Sequence, residues 1–214
     1  MPTIAQPPTA QNVNHNSPPK LTDADKNLTA AQKVEKLLSI KNDPNKPEDV
    51  KRHQDLESFM QKMKVTGQSS TGETLLLQGQ SGATIQVSSG GVGFDLDPKK
   101  GAFDTPANIE AAIELSLTAK KTFGNTLVEP LAPTIMEQQL MREIAKRVGI
   151  NVGDTSKDAP MNAELKAKLD ETWEKVKDKY NLPSMNPTVA AAPQAPAPVM
   201  PPPAPLPAAP GMVI

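Results

Sequence analysis

Apolar residues first fall into a helical rhythm at Val34, Leu37, Leu38 and Ile40, behind Thr29 and Gln32 at capping-box spacing. Pro44 lies beyond the end of this run, so the helix stops before it. A second helix opens at Pro47, with Glu48 and Asp49 favoured by the positive end of its dipole. Its apolar face reads Val50, Leu56, Phe59, Met60 and Met63. The polar connection from Asn42 to Lys46 is short, which suits an antiparallel helical hairpin over residues 29–65.

The rhythm then changes. Residues 66–71 are polar, carry Gly67 and read as a linker. Strands are predicted over 74–78, 83–88 and 92–96. Ile85 and Val87 alternate with Thr84, Gln86 and Ser88, the period of a half-buried strand. Gln80-Ser81-Gly82 and Ser89-Gly90-Gly91 supply the turns of an antiparallel meander.

Thr105-Pro106 opens the next helix, Ile109, Ala112, Ile113 and Leu117 form its inner face, and Gly124 stops it. A short strand follows over 126–129. Another helix begins near Pro133, is expected to bury Ile135, Met136, Leu140, Ile144 and Val148, and ends at Gly149 before a strand at 150–152. The last helix follows Met161-Asn162, carries Leu165, Leu169, Trp173, Val176 and Tyr180 on one stripe, and stops at Pro183. Trp173 and Tyr180 read as core rather than as binding anchors. The order of elements gives an α+β class: an N-terminal helical hairpin, then a small antiparallel or mixed sheet packed by about three helices. The expected division is an arm at 1–28, the hairpin at 29–65, the α+β domain at 73–182 and a tail at 183–214.

Composition explains the ends. Of 23 prolines, five lie within the first nineteen residues and ten between Pro187 and Pro210. Neither terminus has a hydrophobic period, so both are expected to be disordered. The tail has Pro-x-x-Pro spacings at Pro193/Pro196 and Pro198/Pro201 and no charge after Tyr180, which favours a spacer over a specific ligand.

Charge and chemistry narrow the function. The 23 basic and 24 acidic side chains are interspersed and leave a net charge of −1, which argues against a nucleic-acid partner. No cysteine is present, so disulfides, thiolate nucleophiles and Cys-based zinc sites are excluded. The opening residues lack the basic and apolar regions of a secretory signal, and no run approaches the roughly 18 apolar residues of a membrane span, so a cytoplasmic location is expected. Of the two histidines, His15 lies in the arm and His53 on a charged helix face, where a solvated side chain is expected.

Asp95 and Asp97 read as a strand ending at Pro98, because Lys99 stands where a calcium loop wants its next ligand. The five glycines from Gly79 to Gly93 fit hairpin turns and lack the Gly-Lys-Ser/Thr of a phosphate loop. No catalytic, cofactor or metal residue is assigned. The candidate partner-binding residues are Phe59, Met60, Met63, Val50 and Leu56, since methionine adapts to partner surfaces and two helices alone make a thin core.

Several segments carry a resemblance. They are Gly93-Phe94-Asp95-Leu96, Ile109 to Leu115, Thr126-Leu127-Val128, Ala145 to Ile150 and Asn162-Ala163-Glu164-Leu165. Together they resemble a small domain attached to large polyvalent proteins of phages and conjugative elements, in which a strand pair, a helix and a strand–helix–strand unit occur in this order. The resemblance covers about half of the chain. Pro130 and Pro133 are not required by that pattern. The layout of helical N-terminal piece, such a middle domain and Pro-rich tail is also similar to accessory subunits of the Dot/Icm type IV secretion coupling complex. That likeness implies a non-enzymatic adaptor beside a coupling ATPase and effector adaptors, peripheral to an inner-membrane complex. The rival expectation is a translocated effector that acts by binding protein; the last 34 residues contain no Glu to support an acidic translocation signal.

Overall fold

The computed structural model describes residues 3–5, 18–94, 102–124, 126–153 and 160–185. The expected strand end at Asp95 to Asp97, most of the arm and the tail from Pro187 lie outside the described residues.

Helix α1 (Ala30–Leu37) starts as its sequence predicts: the Thr29 hydroxyl accepts from the Gln32 amide while the Gln32 side chain accepts from the Thr29 amide. Helix α2 (Pro47–Met60) follows with proline in its first turn. Strand β2 (Lys64–Gln68) comes next, where the sequence suggested a linker. Its residues are mostly exposed and a bulge interrupts it between Val65 and Gly67, so no alternating apolar pattern marks it. Strands β3 (Thr74–Gln78), β4 (Thr84–Ser88) and β5 (Gly91–Phe94) complete the meander, with Leu75, Leu77, Ile85 and Val87 turned into the core.

A short piece of the N-terminal arm joins the sheet. Thr3–Ala5 forms β1, antiparallel to β5 on one side and to β6 (Glu129–Leu131) on the other. The sheet therefore has six strands in the order β2-β3-β4-β5-β1-β6. Residues 18–28 are ordered too. Leu21 is buried, and its amide donates to the Gly72 carbonyl. Gly72 has φ +73°, and a Cβ there would lie 2.0 Å from the Leu21 oxygen, so only glycine closes this contact.

A 3₁₀ turn at Asp23–Asp25 precedes α1. The Asp25 carboxylate sits 2.6 Å from the Lys36 ammonium and accepts from the amide and hydroxyl of Thr22. Lys36 first, then Thr22, hold its pKa at about 2, against an ordinary 3.8. A depressed carboxylate stabilises the fold above its unfolded value, and that contribution is lost as pH falls from 3.8 towards 2. Asp25→Asn should thus lower Tm above pH 3.8 and converge with wild type near pH 2; parallel Tm curves across this range would contradict the assignment.

Helix α3 (Pro106–Phe123) is the centre of the molecule. The sequence predicted one inner face, yet Ala111, Leu115, Ser116, Thr118 and Ala119 are buried as well. The reason is packing on several sides: the sheet meets one side through β5 and β1, while α2, α4 (Ile135–Arg147) and α5 (Ala163–Tyr180) surround the rest. Helix α1 covers β3 and β4 beside it. Val34, Leu37, Leu56 and Met60 belong to the same core as Leu75, Ile113 and Trp173, so the hairpin and the α+β segment share one interior. The strand expected at 126–129 begins later; Val128 makes only a parallel bridge to Val152, which is all that remains of the strand expected at 150–152.

Candidate docking surface

Helix α2 does not offer the face that its methionines suggested. Leu56, Met60 and Met63 are buried in the core, Phe59 is packed against its margin, and Val50 is 37% exposed at the far end. The hairpin is not isolated: α3 and the sheet supply the missing half of its core.

The exposed apolar residues lie elsewhere. Ile135 is 74% exposed and Met136 45%, although both were expected in the core. Helix phase explains the difference. The inner stripe of α4 runs Glu137, Leu140, Met141, Ile144, Ala145. Its first inward position goes to Glu137, whose carboxylate accepts from the amide and hydroxyl of Thr134 in a capping box. Ile135 and Met136 are then out of phase and face water.

Beside them, Leu127 is 42% and Leu131 47% exposed, whereas Val128 and Pro130 are buried. The alternation places Leu127, Glu129 and Leu131 on one side of the segment. Arg142, two turns after Ile135, donates to Glu129, so the Ile135 stripe of α4 lies towards that same side. The result is a corner of aliphatic side chains beside the Arg142–Glu129 ion pair. Scattered exposed leucines need no explanation, but four large exposed apolar residues within ten positions make this corner the candidate docking surface.

Several charged side chains elsewhere are engaged within the fold. A groove of about 680 Å³ between α2 and the end of α3 is lined by Asp49, Lys51, Arg52, Asp55, Lys120 and Lys121. Arg52 donates to the Thr122 carbonyl in the last turn of α3 at 3.3 Å, and Lys120 donates to the Gly149 carbonyl just beyond α4. Lys121 pairs with Asp55 at 3.5 Å. His53 is not simply solvated: its Nδ1 lies 3.0 Å from buried Glu35 and its Nε2 3.4 Å from Glu57, which ties α1 to α2.

A smaller groove of about 460 Å³ holds Arg147, paired with Glu143 and Asp170 and lying 5.7 Å from the Trp173 ring centroid. Glu174 borders it. The Lys177 ammonium, the Met185 amide and the Ser184 hydroxyl hold its pKa at about 2 and fix the chain where it leaves α5.

Near Tyr180, the last residue of α5, the buried carboxylate of Glu114 accepts from the amides of Gln80 and Ser81 and from the Ser81 hydroxyl. Tyr180 donates to Glu110 at 3.1 Å. Burial, and then the charges of Glu114 and Glu110, push its phenol above the ordinary tyrosine value, so it acts as a neutral donor and not as a base. Nothing in the sequence isolates this cluster except one Glu inside the apolar run Ala111 to Ala119.

Among the described residues, no group of three or more His, Asp or Glu side chains could hold a metal ion, and no helix is long and apolar enough to cross a membrane. Compared with known proteins, the chain matches no family model, no curated protein and no solved structure.

Proposed function

We propose that this chain is a non-enzymatic adaptor subunit that docks onto other proteins through the corner formed by Leu127, Leu131, Ile135 and Met136. The exposure of Ile135 at 74%, on a helix whose inner face is already complete, carries this reading. Burying such side chains against a partner yields roughly 1.5–3 kcal/mol each, enough for two or three of them to dominate an interface. The resemblance to domains of conjugative-element proteins and to coupling-complex accessory subunits supports a type IV secretion or conjugation machine as the setting. The partners are then a coupling ATPase and effector adaptors, and the location is cytoplasmic at the periphery of an inner-membrane complex.

The test is affinity purification of the full chain from cytosol and native membranes, read by mass spectrometry, beside the double variant Ile135→Glu/Met136→Glu. Wild type should recover a coupling ATPase. The variant should lose roughly tenfold or more of it, as expected when an interface hot spot is replaced by charge, while its Tm stays close to wild type because neither side chain is in the core. Equal recovery by the variant would remove this corner from the reading. Recovery only from host cytosol would replace the adaptor with a translocated effector.

A further inference from the structure

Strand β6 pairs with β1 and with no other described strand. Its place in the sheet therefore depends on the three residues Thr3–Ala5. Strands β2 to β5 come from one continuous stretch and form local hairpins, whereas β1 reaches its position from the start of the chain. Residues 6–17 connect it to Pro18. Twelve extended residues can span about 40 Å, so the covalent link allows β1 to enter the slot of its own chain or that of a neighbour.

The outer edges of the sheet favour the slot as the meeting point of two copies. Edge strand β6 has Pro130, which lacks an N–H, at the centre of its three residues. The other edge, β2, is broken by its bulge. Both features oppose strand addition from outside. Between β5 and β6, by contrast, a second copy finds a slot whose complement it already carries. The net charge of −1 gives two copies little reason to repel.

We infer that Thr3–Ala5 exchanges between copies, forming a dimer in which the first strand of each chain lies between β5 and β6 of the other. Each strand and its own slot belong to one chain, so the monomer prevails when dilute and the dimer grows with concentration.

The lack of cysteine makes the test clean. Thr3 and Leu131 are directly opposed across the antiparallel pair, a separation that suits a disulfide. Full-length Thr3→Cys and Leu131→Cys chains are mixed at rising concentration and oxidised. The expected product is a covalent heterodimer of twice 22.8 kDa, roughly tenfold above the yield of Thr3→Cys with Ser58→Cys at submillimolar protein; Ser58 is an exposed position on α2. A mixed yield no higher than this control, with the double variant Thr3→Cys/Leu131→Cys closing as a monomer, overturns the exchange. A double variant that fails to close overturns it equally, since the pairing itself is then absent.

Discussion

Replacing Trp173 with alanine is expected to lower stability by about 3–5 kcal/mol. Trp173 is fully buried at the middle of the α5 stripe, with Leu169 and Val176 in the same core. Its indole Nε1 donates at 2.8 Å to the carbonyl of Pro183, and the Arg147 guanidinium lies over the ring. Truncation leaves a large cavity, removes the bond to the Pro183 carbonyl and deprives Arg147 of its aromatic platform. For a chain of this size the change corresponds to a Tm drop of roughly 10 °C. Trp173→Phe separates the contributions, because it keeps most of the ring and loses the hydrogen bond, with an expected cost of about 1–2 kcal/mol. Urea unfolding followed by circular dichroism reads both variants without relying on tryptophan emission. A loss below about 1 kcal/mol for the alanine variant would mean that α5 is not packed as described.

Parts of this packing were legible from local chemistry. Thr29 with Gln32, Thr105 with Pro106, and Gly124 each act on the backbone within a turn of themselves, so the ends they mark appear where the sequence places them. The α5 stripe is equally plain because one periodic face is opposed by charged residues throughout. Elements that depend on distant partners were not legible. Strand β1 has three residues and no alternation; only the slot between β5 and β6 makes it a strand. Strand β2 exposes most of its residues and contains Gly67, so it resembles a linker until β3 pairs with it.

Helix α4 shows a subtler failure, and the candidate site failed with it. Its apolar residues at 135, 136, 140, 141 and 144 permit more than one phase, and counting hydrophobic positions cannot choose between them. The capping role of Glu137 does choose, since a glutamate committed to Thr134 occupies the inward position of the first turn. Reading Thr134 and Glu137 as a capping box would have turned Ile135 and Met136 outwards from sequence alone. The α2 methionines were assigned to a partner for the complementary reason: a helical hairpin read in isolation hides the third helix that covers it.

Glu114→Ala is expected to cost about 2–4 kcal/mol, because hydrogen bonds to a charged group are worth more than neutral ones and their buried donors are left without a partner. The carboxylate lies 2.6 Å from the Gln80 amide, 3.0 Å from the Ser81 amide and 2.6 Å from the Ser81 hydroxyl, with no exposure to solvent. It thereby fastens the β3–β4 turn to the central helix, and Lys179 joins the same turn by donating to the Gln80 carbonyl at 2.8 Å. Alanine leaves both turn amides unpaired. Glutamine should recover part of the loss, since its carbonyl can serve one amide while its NH₂ faces another donor. Gly79 gives an independent route to the same result. A Cβ there would fall 2.1 Å from the Glu114 carboxylate, so Gly79→Ala must displace the carboxylate from its donors. Gln80→Ala retains the backbone amide and should be nearly silent. Hydrogen exchange at Gln80 and Ser81 is the decisive measurement: both amides should be protected in wild type and open in Glu114→Ala and Gly79→Ala. Unchanged protection would show that the turn is held by its β-ladder alone, with Glu114 a passenger.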